Sequence, residues 1–412
     1  MKIVHTSDWH LGAKLHESDR SEDQKAFLGF LEELLAKERP DALVVSGDIF
    51  DTRAPSAGAQ SLYYQFLGAV CRAGSCGKIV LTAGNHDSAS MLSAPKELVA
   101  MLDIRIVAKA EDDAKDEIVV LRRGDGTPGL AIAAIPFMNE SELSNFARAA
   151  GVQCDDPRER AAAGFRIHCG AAISAARDAA EGAPVVALGH CAVDGATPSD
   201  RKSERSRQVG GVESQGADAF EGADYIALGH LHIPQQVGTD GRILYSGSPV
   251  QMSFSEAGQR KSVVVAEFGE KAGDPVSVRR AEIPEFTPLR ALSGTQEEIL
   301  FGLDALIAEF GREKPVFLSA RVVEGEGDLH PFWERIDATV SETKFLLLAK
   351  EDGRERKVEA GLAAESATRL EELTPRTVAE RRLDEANLTE EEKAEYLGMV
   401  DVAIREAEGG AE

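Results

Sequence analysis

The sequence predicts an α/β protein built in layers, because short strands alternate with helical stretches over its first two thirds. The strands are apolar runs rich in Val, Ile, Leu and Ala. Towards the end of this region, strands follow one another without long helical spacers, which indicates a second, antiparallel sheet. The predicted strands cover residues 2–4, 42–48, 78–84, 130–136, 184–190, 224–230, 242–248 and 262–268.

The helix predicted between the first two strands has the clearest signals. Phe27, Leu31 and Leu35 fall on one helical face, which should pack against a sheet. Ser21 and Gln24 have the spacing of a capping box, in which two side chains bind the free N–H groups of the first turn. We therefore expect the helix to begin near Ser21.

The length and local composition of the sequence predict three regions in the chain. The chain has 412 residues, more than the ~250–300 that one core usually holds. A turn-rich stretch ends the main domain, which we assign to residues 1–275. Residues 282–350 show a strand, helix, strand pattern and are predicted to form a small α/β capping domain. After a charged linker, residues 373–412 are predicted to form C-terminal helices that bind a partner.

Composition excludes some classes of protein. The chain has 46 Lys and Arg against 70 Asp and Glu, a net charge of −24, which excludes binding to nucleic acid by overall positive charge. An enzyme acting on nucleic acid stays possible, because bound metal ions can reverse the local charge. The five cysteines include no C-x-x-C pair, which argues against a structural zinc site. With no apolar membrane segment or signal peptide evident, we expect a cytoplasmic protein.

Polar residues with metal-ligand side chains follow the predicted strands. In layered α/β proteins, the carboxyl ends of neighbouring strands meet at one crevice, so these side chains should converge. A single strand-end histidine is more often an ordinary hydrogen-bonding residue, but five of them favour a shared site. The converging residues are Asp8, His10, Asp48, Asp51, Asn85, His86, Asp87, His190, His230 and His232.

Seven of these residues, namely Asp8, Asp48, Asn85 and four of the five histidines, have donor types that suggest a pair of metal ions. Two carboxylates, one amide oxygen and four imidazoles suit manganese, iron or zinc, whereas an all-oxygen set would suit magnesium or calcium. Seven donors are too many for one ion but fit two ions that share a carboxylate. With Asp8 and Asp48 as the negative ligands, two divalent ions would leave about +2 of formal charge, which suits a phosphodiester. Tight turns are indicated by the preceding glycines, Gly47, Gly84, Gly189 and Gly229.

The motifs DWH, GDIFD, GNHD, GH and GHLH, in this order, resemble those of the calcineurin-like metallophosphoesterases. The longer strings MKIVHTSDWHLG, VVSGDIFDTRAPS, DYIALGHLH and YSGSPVQMSF are similar to the SbcD family, the nuclease subunits of bacterial SbcCD complexes. The resemblance covers about residues 1–255 and is looser beyond them. It implies a two-sheet sandwich flanked by helices, followed by a small α/β cap and C-terminal helices.

The resemblance also implies a role for each matching residue. His86 would be the general acid, or would orient the scissile phosphate and protonate the leaving oxygen, and Asp87 would orient His86 or its loop. Two divalent ions, with manganese expected, would share one bridging carboxylate. The implied ligands are Asp8, His10 and His232 for one ion, Asn85, His190 and His230 for the other, and Asp48 for both.

The implied activity is a metal-dependent DNA nuclease, both 3′→5′ exonuclease and endonuclease, that opens hairpin ends in DNA replication, repair and recombination. Its implied partner is SbcC, an ATPase with a long coiled coil, in a heterotetramer that contains a homodimer of this chain. A dense basic cluster could contact DNA phosphates or could equally be a solvated loop. This cluster consists of Arg201, Lys202, Arg205 and Arg207.

Two other functions share the same core motifs. The first is a phosphoesterase for small substrates, such as cyclic nucleotides or phosphomonoesters, which would need no cap, basic loop or C-terminal helices. The second is a non-catalytic scaffold of the same fold, which should have lost some of the seven ligands, whereas this sequence keeps all of them. The sequence therefore favours the nuclease.

Overall fold

A computed structural model describes residues 1–197 and 214–354, together with Lys393, Tyr396, Leu397, Met399 and Val400. The chain divides into a large unit, which holds the sheets and the candidate site, and a small unit. The described parts of the small unit are residues 294–296, 322–327, 352–354 and the five C-terminal positions. In the small unit, the Arg354 guanidinium donates to the Gly327 carbonyl at 3.1 Å and pairs with the Asp352 carboxylate at 2.7 Å.

The described strands confirm all eight predicted ones and add others. They are β1 (Lys2–Thr6), β2 (Lys14–Leu15), β3 (Ser18–Asp19), β4 (Ala42–Ser46), β5 (Lys78–Thr82), β6 (Ile104–Val107), β7 (Ile118–Arg122), β8 (Pro128–Ala134), β9 (Val185–His190), β10 (Tyr225–Gly229), β11 (Gln235–Val237), β12 (Ile243–Tyr245), β13 (Ser262–Glu267), β14 (Ser277–Glu282), β15 (Leu289–Gly294), β16 (Val316–Val322) and β17 (Phe345–Asp352).

The α-helices lie between these strands and none in the described part of the chain is long and apolar enough to cross a membrane. They are α1 (Ser21–Glu38), α2 (Ala57–Ala73), α3 (Ala89–Ser93), α4 (Lys96–Ala100), α5 (Glu140–Ala149), α6 (Pro157–Ala180), α7 (Gln296–Phe310) and α8 (His330–Ser341).

Two six-stranded mixed sheets form the body of the large unit. The first has the order β14-β13-β1-β4-β5-β6, and the second has the order β11-β12-β10-β9-β8-β7. The predicted antiparallel second sheet is wrong. β12 pairs parallel with β10 in the second sheet, while β13 pairs antiparallel with β1 in the first. The late strands therefore belong to different sheets, and their closeness in sequence does not reflect pairing.

Successive side chains of each strand point to opposite faces, which explains why the two sheets pack as a sandwich with helices outside. In β4, Leu43 and Val45 face a core shared with α1 and α2, whereas Val44 faces a core shared with the second sheet. The second sheet likewise packs its other face on α5 and α6, where Phe165 and Ile173 are buried. Because successive side chains of a strand point to opposite faces, each sheet buries both faces. The predicted two-sheet sandwich flanked by helices is confirmed.

The first helix has the predicted apolar face but not the predicted cap. Its N-cap residue is Arg20, which makes no side-chain capping bond, and Ser21 is already helical. The Gln24 side chain instead accepts a hydrogen bond from Gly12 N at 2.9 Å and donates one to the His10 carbonyl at 3.1 Å. The capping box is therefore wrong, because Gln24 is buried and its amide holds the loop that follows β1.

The cap region contains a three-stranded sheet, β15-β16-β17, with α7 and α8 connecting its strands. Leu289 and Phe317 of this region form a small buried cluster with Leu15. Asp23 of α1 accepts a hydrogen bond from the Thr287 hydroxyl at 2.7 Å. The strand, helix, strand pattern predicted within residues 282–350 is confirmed by β16, α8 and β17, whereas the domain limits 1–275, 282–350 and 373–412 stay predictions.

Candidate metal centre

Five of the seven predicted ligands form two overlapping groups. One ligand atom each from Asp8, His10 and His232 lie within 4.8 Å of one another, and so do atoms from Asp8, Asp48 and His190. These side chains follow or end β1, β4, β9 and β10, so the carboxyl ends of strands from both sheets supply them. The predicted convergence at strand ends is therefore confirmed for these five residues.

The other two predicted ligands close the same cluster. The Asn85 side-chain oxygen lies 3.0 Å from Nε2 of His190 and 3.1 Å from Nδ1 of His230. Asn85 and His230 are half-buried, whereas Asp8, Asp48 and His190 are buried. The site is therefore enclosed on the side of the carboxylates and reaches solvent on the side of Asn85 and His230.

Backbone conformations with positive φ angles orient several of these side chains. Asp8, His10, Asp48 and His230 have positive φ angles of 53°, 44°, 51° and 95°. Residues other than glycine rarely adopt such angles, and each costs on the order of 1–3 kcal/mol. Backbone hydrogen bonds hold the turns, including those from Asp8 N to Gly47 O and from His10 N to Asp48 O, both 3.0 Å. Four positive angles at one place indicate a functional constraint on these loops.

At two of the predicted glycine positions, glycine is required because neighbouring atoms leave no room for a Cβ atom. A Cβ atom on Gly84 would lie 2.2 Å from Oδ1 of Asp48, and one on Gly229 would lie 1.9 Å from the Ser46 carbonyl oxygen. No other residue could occupy these positions without moving the neighbouring loop. The glycines therefore allow loops that carry different ligands to pack against one another.

The pKa shifts in the cluster arise from burial and from the charges of neighbouring side chains. Burial alone would lower the pKa of His190, but the Asp48 carboxylate at 3.3 Å raises it to about 9. Burial alone would raise the pKa of Asp48, but His190 and His10 hold it well below its usual range. Burial and the neighbouring His190 lower the pKa of His230 to about 3. The cluster therefore favours positive charge beside Asp48.

The donor atoms fit divalent metal ions. Neither ring nitrogen of buried His10 has a partner with hydrogen-bond geometry among the described residues, although Nε2 lies 3.5 Å from Oδ2 of Asp48 and Nδ1 lies 3.3 Å from Oδ1 of Asp51. A buried imidazole without hydrogen bonds is costly unless another ligand satisfies it. His190 donates from Nδ1 to the Ser46 carbonyl at 2.8 Å, so Nε2, which faces Asp48 and Asn85, is the nitrogen that would bind an ion. Imidazole, carboxylate and amide donors together suit borderline divalent ions.

His86 lies at the half-buried edge of this cluster. Its Nδ1 donates to the Asp51 carbonyl at 2.7 Å, and its ring centroid is 4.9 Å from that of His10. Its backbone N–H donates to Oδ1 of Asp48 at 2.9 Å. The ring is therefore fixed beside the candidate ligands while its Nε2 keeps a lone pair.

Asp87 binds loops rather than the ring of His86. Its carboxylate accepts hydrogen bonds from the backbone N–H groups of Ile49 at 3.1 Å, Phe50 at 3.0 Å and Gly84 at 2.9 Å. Burial, together with the charge of Asp48, raises the pKa of this carboxyl to about 6. Of the two roles that the resemblance implies for Asp87, these contacts favour orientation of the loop.

Comparison with known proteins shows the family to which this chain belongs. The calcineurin-like phosphoesterase profile matches residues 1–234, and the profile of the type 5 capsule protein repressor C-terminal domain matches residues 285–387. An Escherichia coli (strain K12) protein, named as a subunit of the nuclease SbcCD, is 32% identical over 403 residues, 96% of each chain. The chain belongs to the SbcD family of calcineurin-like phosphoesterases.

Relatives from other bacteria carry the same name. The Rhodobacter capsulatus protein is 33% identical over 317 residues, covering 74% of this chain and 76% of its own. The Bacillus subtilis protein is 33% identical over 281 residues, covering 66% of this chain and 68% of its own. The predicted family is therefore confirmed, and with it the prediction that this SbcD-family chain is a hydrolase of the phosphoesterase class.

Sequence reasoning missed two residues that support the site of this SbcD-family chain. Buried Glu256 lies 3.3 Å from Nδ1 of His232 through Oε1 and 2.6 Å from Nζ of Lys261 through Oε2. Burial would raise the pKa of Glu256, but Lys261 and His232 lower it to about 2. Neither residue follows a strand end or has a metal-ligand spacing, so no sequence signal marks them. The predicted basic cluster, Arg201, Lys202, Arg205 and Arg207, lies outside the described residues.

Replacing Asp48 with Ala should abolish metal binding and hydrolysis together. The Asp48 carboxylate lies within 3.5 Å of both His10 and His190, so its loss should leave the cluster without its shared anion. We expect the metal content of the purified chain, measured after dialysis against Mn²⁺, to fall to background. Asp337→Ala, which removes an exposed carboxylate from α8, is the matched control and should keep its metal. An Asp48→Ala chain with two bound ions and normal turnover would contradict the assignment.

Proposed function

We propose that this chain is a metal-dependent DNA nuclease, with 3′→5′ exonuclease and endonuclease activity that includes the opening of hairpin ends. The observation that carries the proposal is the convergence of seven metal-type ligands, from both sheets, in a cluster that reaches solvent beside His86. The nuclease name of relatives aligned over almost the whole chain supports a nucleic acid as the substrate. We place its role in DNA replication, repair and recombination.

Two divalent ions, for which we propose manganese, would occupy the cluster. When bound, such ions polarise a phosphate oxygen and lower the pKa of a coordinated water, which provides a nucleophile at neutral pH. Asp48 would be shared by the two ions. The proposed ligands are Asp8, His10 and His232 for one ion, and Asn85, His190 and His230 for the other.

His86 would act directly on the substrate. Because Nδ1 donates its proton to the Asp51 carbonyl, Nε2 is the nitrogen that can take up and release a proton. When protonated there, the ring can orient the scissile phosphate and pass the proton to the leaving oxygen. Asp87 would position this residue indirectly, since its three backbone hydrogen bonds join the loops after β4 and β5.

Contacts with long DNA would come from outside the metal cluster. We propose that the basic cluster of residues 201–207 binds backbone phosphates and that residues 282–350 form a DNA-facing cap. Such local positive charge is needed because the chain as a whole carries a net charge of −24. The metal cluster would then carry out the chemistry, whereas the cap and the basic cluster would bind the DNA.

The proposed partner is an SbcC-type ATPase with a coiled coil, bound by the C-terminal helices at 373–412. The described residues there are helical, and Tyr396 and Met399 are 49% and 59% exposed. We also propose that two copies of the chain pair within a heterotetramer. Around α4, Leu98 and Met101 are 68% and 83% exposed, which suits an apolar contact between copies.

The proposed substrate can be tested against a small phosphodiester. The full chain with Mn²⁺ should cleave a hairpin-capped DNA duplex, and Asp48→Ala should cleave neither this duplex nor bis(p-nitrophenyl) phosphate. Denaturing gels would show the DNA products, and absorbance would follow the small ester. Cleavage of the small ester alone would contradict the nuclease and favour a phosphoesterase for small substrates.

His86→Ala should separate chemistry from metal binding. The variant loses a positioned proton donor, so we expect its rate of DNA cleavage to fall by roughly 10²–10⁴-fold. Its content of Mn²⁺ should stay at the wild-type value, because the seven proposed ligands are unchanged. His330→Ala, at an exposed position on α8, is the matched control for cleavage. Loss of metal from His86→Ala would make His86 a ligand rather than a proton donor.

Truncation after residue 370 should separate partner binding from catalysis. The metal cluster lies entirely within residues 8–232, so Mn²⁺-dependent cleavage by the isolated chain should be largely retained. Co-purification with the ATPase subunit, and any stimulation of cleavage by ATP, should be lost. A truncated chain that still binds the ATPase with normal affinity would show that the C-terminal helices pack within their own chain.

A further inference from the structure

A buried pair of opposite charges lies directly behind one candidate ligand. Glu256 and Lys261 are 1% and 3% exposed, and their charged atoms are 2.6 Å apart. Glu256 ends a single 3₁₀ turn, Phe254–Glu256, and also accepts a hydrogen bond from Met252 N at 3.2 Å. Burying two charges is costly even when they are paired, so a pair at this position calls for an explanation.

The pair holds both the ring and the backbone of His232. Oε1 of Glu256 lies 3.3 Å from Nδ1 of the ring. Nζ of Lys261 donates to the His232 carbonyl at 3.0 Å, and the same carbonyl accepts from Ser248 N at 3.2 Å. Because a carboxylate can only accept, Nδ1 must carry the proton. The lone pair of His232 is therefore left on Nε2, in the residue grouped with Asp8 and His10.

We propose that Glu256 and Lys261 are positioning residues, which fix the ring of His232 for metal binding without adding net charge to the site. This inference rests on the proposed metal centre. An imidazole ligand is a better donor when a carboxylate binds its other nitrogen. A lone carboxylate would reduce the positive charge that the substrate requires, and the Lys261 ammonium cancels that reduction.

The same chain contains a matched pair away from the cluster. His168 and Glu117 are both buried, and Nε2 of His168 lies 2.9 Å from Oε1 of Glu117. They connect α6 to the short helix before β7 and include none of the candidate ligands. Glu117→Gln therefore reproduces the loss of a buried carboxylate from a histidine without touching the proposed metal centre.

The test is a calorimetric titration of the full chain with Mn²⁺ alone. We expect wild type to bind two ions and Glu256→Gln to bind one of them roughly 10–100-fold more weakly, with the other unchanged. Glu117→Gln should bind both ions as wild type does. Lys261→Met leaves a buried carboxylate without its partner, so its melting temperature should fall. The double variant Glu256→Gln/Lys261→Met removes both charges, so its melting temperature should recover much of that loss. Its affinity for one ion should stay reduced, as in Glu256→Gln.

The double variant decides between positioning and a purely structural role. Wild-type affinity for both ions in a double variant that melts near the wild-type temperature would overturn the inference. Equal weakening by Glu117→Gln would also overturn it, because the effect would then be general to buried carboxylates. If the wild-type chain bound no Mn²⁺, the proposed metal centre would itself be contradicted, and the positioning role of Glu256 and Lys261 would be contradicted with it.

Discussion

Two carboxylates buried in one cluster, Asp8 and Asp48, are the constraint on which the rest of the site depends. Buried like charges repel and lose their hydration, so each must be compensated. Backbone N–H groups of His230 and His86 donate to them, each at 2.9 Å, and the Ser7 hydroxyl donates to Asp8. Because these donors come from loops of both sheets, satisfying the carboxylates also fixes how the loops meet.

The positions of the candidate ligands could be predicted because they follow from strand ends and motif order. Residues such as Asp8 and His190 directly follow or end apolar strands that the structure confirms, and parallel strands bring their carboxyl ends to one edge. The chemical role of each residue in the cluster is harder to predict from the sequence than its position. Asp87 adjoins His86 in the chain, yet its carboxylate binds backbone N–H groups of two loops, which only the folded arrangement shows.

The failed predictions have a common physical origin in tertiary contacts. Gln24 has the spacing of a capping residue, but burial against the loop after β1 gives its amide better partners than its own helix. β12 and β13 are close in sequence, but the chain crosses between sheets, so each joins a different one. Glu256 and Lys261 carry no periodic or motif signal, because their role depends on a histidine more than 20 residues away.

The origin of the ligands in two different sheets has a thermodynamic consequence. Asp8, Asp48 and Asn85 come from loops of the first sheet, whereas His190 ends strand β9 and His230 directly follows strand β10 of the second. An ion bound by both sets is released if the sheets separate, so its binding free energy opposes that separation and adds to the apolar layer between them. Under the proposed ligand assignment, the cooperativity of unfolding would therefore depend on metal concentration, and a chain depleted of metal would open between its sheets at lower cost than a loaded one.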